Sequence, residues 1–261
     1  GSKFNIARAK RELLEFLPEG SGISVLNRDN DYFDYLSDYS SNHGSVITFG
    51  KHAKSDFRMS DILLNSLGFA KFKINEVPLE ANSPGAHMPL NMACACATAS
   101  ALGIAFNEAI AGLATYKAPA MRLEIVLGKW ETTIIDDTYN AAPDSVCSAL
   151  ATLQAIASTN RRSVAILGEI RELGDWSIEA HRVVGKCAGN TKLQVLIALG
   201  PATKPIVEEL MSANPSAKIS EFESTEAALL QLTNLIQPGD VILVKGSRAL
   251  AMERIVAALK K

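Results

Sequence analysis

From residue 164 onward one pattern repeats: a short, largely apolar run followed by a stretch with helical spacing. The runs are residues 164–167, 195–199, 219–222 and 241–244, and the helical patterns occupy 145–157, 177–188, 204–211 and 225–235. A strand that is apolar on both faces must be covered on both. Alternation with helices achieves this in a parallel sheet. Just before these runs, residues 123–127 and 132–135 flank Gly128-Lys129, which predicts a hairpin. The second part of the chain is therefore expected to be α/β, with a mostly parallel sheet. Such sheets bind ligands beyond the carboxyl ends of their strands. Those ends carry Asp136-Asp137, Gly168-Glu169, Gly200 and Lys245-Gly246-Ser247-Arg248.

The first part is less regular. Spacing predicts a helix over 4–17, strands near 23–26 and 45–49, and an extended segment over 70–77. A Pro/Ser/Gly-rich loop is expected over 78–85, and a helix opens near Pro89, where a missing N–H costs nothing. The break at Ala118-Pro119-Ala120 divides the chain into an incomplete-looking domain, 1–119, and a complete one, 120–261.

Composition narrows the function classes. Hydrophobic residues are 48% and charged residues 21% of the chain, a globular profile. Lys plus Arg total 26 against 28 for Asp plus Glu, so no general basic field attracts nucleic acid or a membrane surface. There is no signal-peptide pattern and no apolar run of transmembrane length, so no membrane insertion is expected. Cys94, Cys96, Cys147 and Cys187 lie far apart in helix-like surroundings and read as buried, reduced thiols of a cytoplasmic protein.

Several residues are candidates for chemistry. Lys10 shares a helical stripe with Ile6, Leu13, Leu14 and Leu17, so it occupies a slot suited to an apolar side chain. Either its stem covers apolar surface while the ammonium reaches water, or burial makes the amine reactive. A reactive amine takes up carbon dioxide and becomes a carbamate, an oxygen ligand suited to Mg²⁺. His87 and Asn91 share one face at a helix start, fit either for capping or for a ligand's hydrogen-bonding edge. Asp136-Asp137-Thr138-Tyr139-Asn140 follows a strand, where such turns are common for structural reasons alone. Lys245, Ser247 and Arg248 suit a carboxylate or phosphate, or ordinary solvation. There is no Gly-x-x-x-x-Gly-Lys-Ser/Thr loop, nucleophile elbow or His-Glu-x-x-His.

Taken in order, these segments resemble the Mur ligase family over nearly the whole chain. The resemblance rests on Asn5 through Glu12, Val25-Leu26-Asn27-Arg28-Asp29, and Gly85-Ala86-His87-Met88-Pro89-Leu90-Asn91. It continues through Ile134 to Ser145, Leu167 to Gly174, His181 and Lys245 to Arg248. The Asp-Asp-x-Tyr-Asn and Lys-Gly-Ser segments favour the branch that joins D-alanyl-D-alanine to UDP-N-acetylmuramoyl-tripeptide.

The resemblance implies part of a central ATP-binding domain followed by a Rossmann-like C-terminal domain. It implies ATP and Mg²⁺ as cofactors and an acyl-phosphate reaction in the cytoplasm during peptidoglycan synthesis. Lys10 would aid Mg²⁺ binding if carbamylated, and Arg122 would reach the nucleotide phosphates. His87 and Asn91 would meet adenine, and Asp136 or Asp137 ribose, with Tyr139 and Asn140 nearby. Lys245, Ser247 and Arg248 would face the peptide substrate. Met88, Ala142 and Glu169 depart from the family's usual Asn, Asn and Asp. The UDP-sugar domain and the phosphate-binding loop are missing, so the chain alone is expected to be inactive. Other members of the superfamily, such as diaminopimelate- or lysine-adding ligases and folylpolyglutamate or cyanophycin synthetases, are the alternatives within the class. A non-catalytic precursor-binding module is the alternative outside it.

Overall fold

A computed structural model describes residues 3–157 and 160–261. The chain forms two compact units. The first comprises Gly1–Leu63, Ala70–Asn82 and His87–Lys117; the second comprises Leu64–Phe69, Ser83–Ala86 and Ala118–Lys261.

The first unit contains helices α1 (Lys3–Glu12), α2 (Phe33–Ser41), α3 (Met88–Ala101) and α4 (Phe106–Leu113). Its sheet takes strands β1 (Gly22–Asn27), β2 (Gly44–Gly50), β3 (Phe57–Leu64), β4 (Phe69–Ile74) and β5 (Val77–Pro84) in sequence order. β1 and β2 are parallel, as are β2 and β3. The small residues of α3 do what their size allows: Ala93, Cys96 and Ala97 are almost wholly buried. The stretch expected as a Pro/Ser/Gly-rich loop is strand β5, an edge position where a proline withholds no needed donor.

The sequence pattern at α1 proves deceptive. The helix stops at Glu12 and tightens into a 3₁₀ turn over Leu13–Phe16. Ile6 and Leu13 are 60% and 76% exposed, and Lys10 is exposed beside them, while Ala7 and Leu14 are buried. The apolar stripe therefore faces outward and the helix packs through its small alanine. Lys10 breaks no buried face, so burial gives no ground for a reactive amine there. Helix α2 and strand β3 lie in segments whose sequence carries no clear apolar run.

In the second unit, β6 (Glu124–Leu127) and β7 (Thr133–Asp136) form the expected antiparallel hairpin. There follow α5 (Pro143–Ala157), β8 (Ser163–Gly168), α6 (Ser177–Gly189), β9 (Val195–Leu199) and α7 (Lys204–Ala213). β10 (Lys218–Phe222), α8 (Thr225–Leu229), α9 (Leu232–Leu235), β11 (Val241–Lys245) and α10 (Glu253–Leu259) complete it. The sheet order is β10-β9-β8-β11-β7-β6, parallel except for the β6–β7 pair. Alternate residues of each central strand point to opposite faces. Ala165 and Leu167 join the core that includes α5, α6 and α7, whereas Val164 and Ile166 join the one with α8, α9 and α10. The helix expected over 225–235 is two short ones, and α10 adds a further helix after the last strand.

Two of the four cysteines are not the reduced thiols that their sequence surroundings suggest. Cys147 on α5 and Cys187 on α6 are joined as a disulfide, with Cα atoms 5.5 Å apart. They lie 40 residues apart in sequence, and helix packing alone brings them together. Cys94 and Cys96 are free. Among the described residues no helix is long and apolar enough to cross a membrane.

Candidate functional site

The second unit's connections diverge at the carboxyl end of its sheet. β8 leads through α6 to β9 on one side, whereas β11 leads into α10, after which Lys260 bridges Gly128 at the end of β6. The crevice where neighbouring strands send their connections apart is where open α/β sheets bind ligands. Here it lies between β8 and β11. At its base the two strand ends pack closely: a Cβ on Gly246 would stand 3.0 Å from the Gly168 Cα and closer still to the Met252 sulfur. Two hydrogen bonds tie the loops above it. The Ser247 N–H donates to the Glu169 carbonyl (3.0 Å), and the Arg171 N–H donates to Ser247 Oγ (2.8 Å). Glu169 also reaches across to β9, its Oε1 accepting from the Ala202 N–H at 3.0 Å.

His181 anchors the same loop from α6. Its Nε2 accepts the Ile170 N–H at 3.0 Å, so the ring proton lies on Nδ1, which donates to the Ser177 carbonyl at 2.7 Å. The residue is fully buried, and this histidine is a brace for the loop rather than a solvent-facing base.

Beside the crevice, β7 delivers the Asp136–Asn140 turn. Lys245, 2% exposed, places its ammonium 2.6 Å from Asp137 Oδ2 and 2.9 Å from the Asn140 carbonyl. The lysine is thus committed to shaping the turn. Asp137 Oδ1 accepts in addition from the Leu123 N–H at 3.3 Å. Asp136, its neighbour, turns the other way and accepts from the Thr138 amide and hydroxyl.

Burial raises the Asp136 carboxyl above its usual 3.8, partly countered by those Thr138 bonds. The folded protein therefore holds this proton more tightly than the unfolded chain, and stability falls as pH climbs from 3.8 toward the raised value. Asp136→Asn keeps an oxygen acceptor for Thr138 and removes the titration. Urea melts across mildly acidic pH are expected to show a flatter profile for the variant, with equal or greater stability at pH 7. A profile parallel to the parent's would mean Asp136 is not the group responsible.

Above this buried base lies an exposed cationic rim. The Arg122 guanidinium sits 4.1 Å from the Tyr139 ring centroid, and the Tyr139 N–H donates to the Met121 carbonyl. Arg248 reaches the Met121 sulfur and pairs with Glu253 at 3.2 Å. The chain of contacts thus runs from Arg122 through Tyr139, Asn140, Lys245 and Asp137, and from Met121 to Arg248 and Ser247. These sequence-predicted residues share one patch of one unit. Arg171 and Glu169 belong there too, and their loop position, not their type, was the available signal.

His87, Asn91 and Lys10 lie in the first unit. His87 and Asn91 are exposed at the first turn of α3, where His87 is the N-cap residue and makes no side-chain cap bond. Among the described residues no group of three or more His, Cys, Asp and Glu side chains is placed to hold a metal ion.

Residues 1–99 match the family described as "Mur ligase middle domain", and residues 121–248 match "Mur ligase, glutamate ligase domain". Among curated proteins, the chain is 32% identical to the UDP-N-acetylmuramoyl-tripeptide–D-alanyl-D-alanine ligase of Escherichia coli, covering 100% of this chain and 57% of that protein. The Mycobacterium tuberculosis counterpart is 29% identical over 99% of this chain and 54% of its own length. The fold is similar to a crystal structure of MurF from Acinetobacter baumannii, with TM-score 0.83, 28% identity, and coverage of 98% of this chain and 55% of that one. It is similar as a fold to Thermotoga maritima MurF, solved in complex with ADP, at TM-score 0.78 and 23% identity over 99% of this chain and 57% of that one. The chain spans about half the length of the curated relatives it matches.

Proposed function

Because the chain belongs to the Mur ligase family, built from its middle and C-terminal domains, we propose that it is part of the ATP-dependent ligase that joins D-alanyl-D-alanine to UDP-N-acetylmuramoyl-tripeptide. The observation that carries this reading is the cationic rim over a buried, ion-paired turn at the divergence point of the second sheet. The reaction would pass the γ-phosphoryl of ATP to the tripeptide carboxylate, and the dipeptide amine would then displace phosphate from the acyl phosphate. The compartment would be the cytoplasm.

In this reading Arg122 meets the nucleotide's phosphates as a preorganised cation, held flat by the Tyr139 ring. Asn140 and Tyr139 offer polar edges beside it, and the Asp136-Asp137 turn faces the ribose. Lys245 acts on the ligand only through the turn it holds. Ser247 and Arg248 stand nearest to where a peptide carboxylate would lie, with Arg248 able to take it in a two-pronged contact. His87 and Asn91 would read the adenine edge from the middle domain. A bound Mg²⁺ would neutralise triphosphate charge, but among the described residues the carboxylates do not gather into a site for it. Lys10 is exposed in the first unit, so its assignment as a carbamate ligand rests on the family resemblance alone.

The sequence contains no Gly-x-x-x-x-Gly-Lys-Ser/Thr loop. Phosphate release by the chain alone, with ATP and both substrates present, is therefore expected at background level. The full-length ligase is expected to release phosphate with D-alanyl-D-alanine and not with diaminopimelate, lysine or glutamate as acceptor. Turnover by the chain alone would refute the need for a phosphate loop supplied elsewhere. Preference for a single amino acid would move the assignment to another ligase of the class.

A further inference from the structure

Of the four cysteines, Cys147 and Cys187 are joined, whereas Cys94 and Cys96 are free. Cys94 and Cys96 lie on α3; burial pushes the Cys96 thiol up to about 11 and raises the Cys94 thiol as well. A thiol held protonated is a poor nucleophile. Cys147 and Cys187 are partly buried, as Cys94 is, one in the first turns of α5 and the other in the last turn of α6. Their Cα separation of 5.5 Å is the span a disulfide needs, and the sulfurs are joined.

The bridge also has a particular position in the fold. α5 begins directly behind the Asp136–Asn140 turn, and α6 carries His181, which holds the Ile170 amide. The two helices that support the site loops are thus fastened to each other. Neither cysteine of the bridge is fully buried. Disulfides that occur in reducing compartments are mostly of the exchanging kind.

We propose that Cys147 and Cys187 form a reversible redox modification site, closed by exchange with a low-molecular-weight disulfide and clamping α5 to α6. One cysteine thiolate attacks a sulfur of the small disulfide and expels the first small thiolate, leaving a mixed disulfide on the protein. The second cysteine thiolate attacks the protein sulfur of that mixed disulfide, forms the Cys147–Cys187 bond and expels the second small thiolate. The protein loses two protons and two electrons, and the small disulfide becomes two thiols. Reduction runs the same steps backward. The assignment does not depend on what the full ligase joins, because its readouts are covalent state and melting temperature.

The test equilibrates the folded chain with a series of reduced-to-oxidised glutathione ratios, traps free thiols by acid quench and alkylation, and maps peptides by mass spectrometry. A Cys147–Cys187 linked peptide that grows and disappears with the ratio is expected, while Cys94 and Cys96 stay alkylated throughout. Closing a 40-residue separation should raise the melting temperature of the oxidised form above the reduced form by roughly 8–15 °C. Cys147→Ser should melt like the reduced parent and capture glutathione on Cys187. The proposal is overturned if no linked peptide forms at any ratio, if Cys94 or Cys96 is the partner instead, or if the bridge resists every ratio until the protein unfolds. Equal melting temperatures for the two forms would remove the clamp.

Discussion

Lys245→Met is expected to lower folding stability by about 3–5 kcal/mol, the cost of stranding a buried charge without its partner. The lysine side chain is 3% exposed and that of Asp137 12%, so solvent cannot replace the 2.6 Å contact between them. Methionine has nearly the length of the lysine stem and leaves little void, so the loss reads the charge rather than packing. The Asn140 carbonyl loses its donor as well, loosening the turn at both ends. Lys245→Met combined with Asp137→Leu should recover most of the loss, because an ion pair replaced whole by apolar groups costs little or nothing. Urea denaturation of the two variants and the parent decides the matter. A single-variant loss below about 1 kcal/mol would place the pair in the energetic class of surface salt bridges.

Arg162→Met is expected to cost a similar ~3–5 kcal/mol, from the opposite end of the sheet. Asp240, 1% exposed, takes Arg162 in a two-pronged pair at 2.8 and 2.7 Å and also accepts the Gln237 N–H at 2.8 Å. Arg162 further ties the Leu235 carbonyl, so one side chain holds the start of β8 to the start of β11. Because this pair precedes the strands and the candidate site follows them, the two variants separate stability from ligand handling. Titration of a nucleotide into each variant of the full-length protein, at a temperature where both are folded, should show weakened binding for Lys245→Met alone. Equal weakening in both would mean that general loosening of the sheet, not the shape of the Asp136–Asn140 turn, governs binding.

The second unit was legible because its strands are buried on both faces, and such strands carry an unbroken apolar signature over 164–167, 195–199 and 241–244. The edge strand β10, half exposed, was recognisable only by its place in the series. Local patterns failed where tertiary contacts decide. The stripe through Ile6, Lys10 and Leu13 has helical spacing yet faces outward, since spacing reveals that a face is apolar but not what covers it. The Arg162–Asp240 pair and the Cys147–Cys187 bridge join residues distant in sequence, and no periodicity encodes such pairings. At the candidate site, residue types pointed to the 136–140 turn and the 245–248 loop, which the structure brings together. What they did not reveal was division of labour: Lys245, read as a ligand-facing cation, is a buried strut, while Arg122 and Arg248 stand in the open.

Between β8 and β11, the Leu250 and Met252 side chains fill the space that a Cβ on Gly168 or Gly246 would need. With that base filled, a ligand at this end of the sheet rests on the loops beyond the glycines. Discrimination among close relatives must then be written around the perimeter, in the arginines and the tyrosine, where substitution is sterically free. A molecule meant to tell such proteins apart would do best to reach the arginines and the tyrosine of that perimeter.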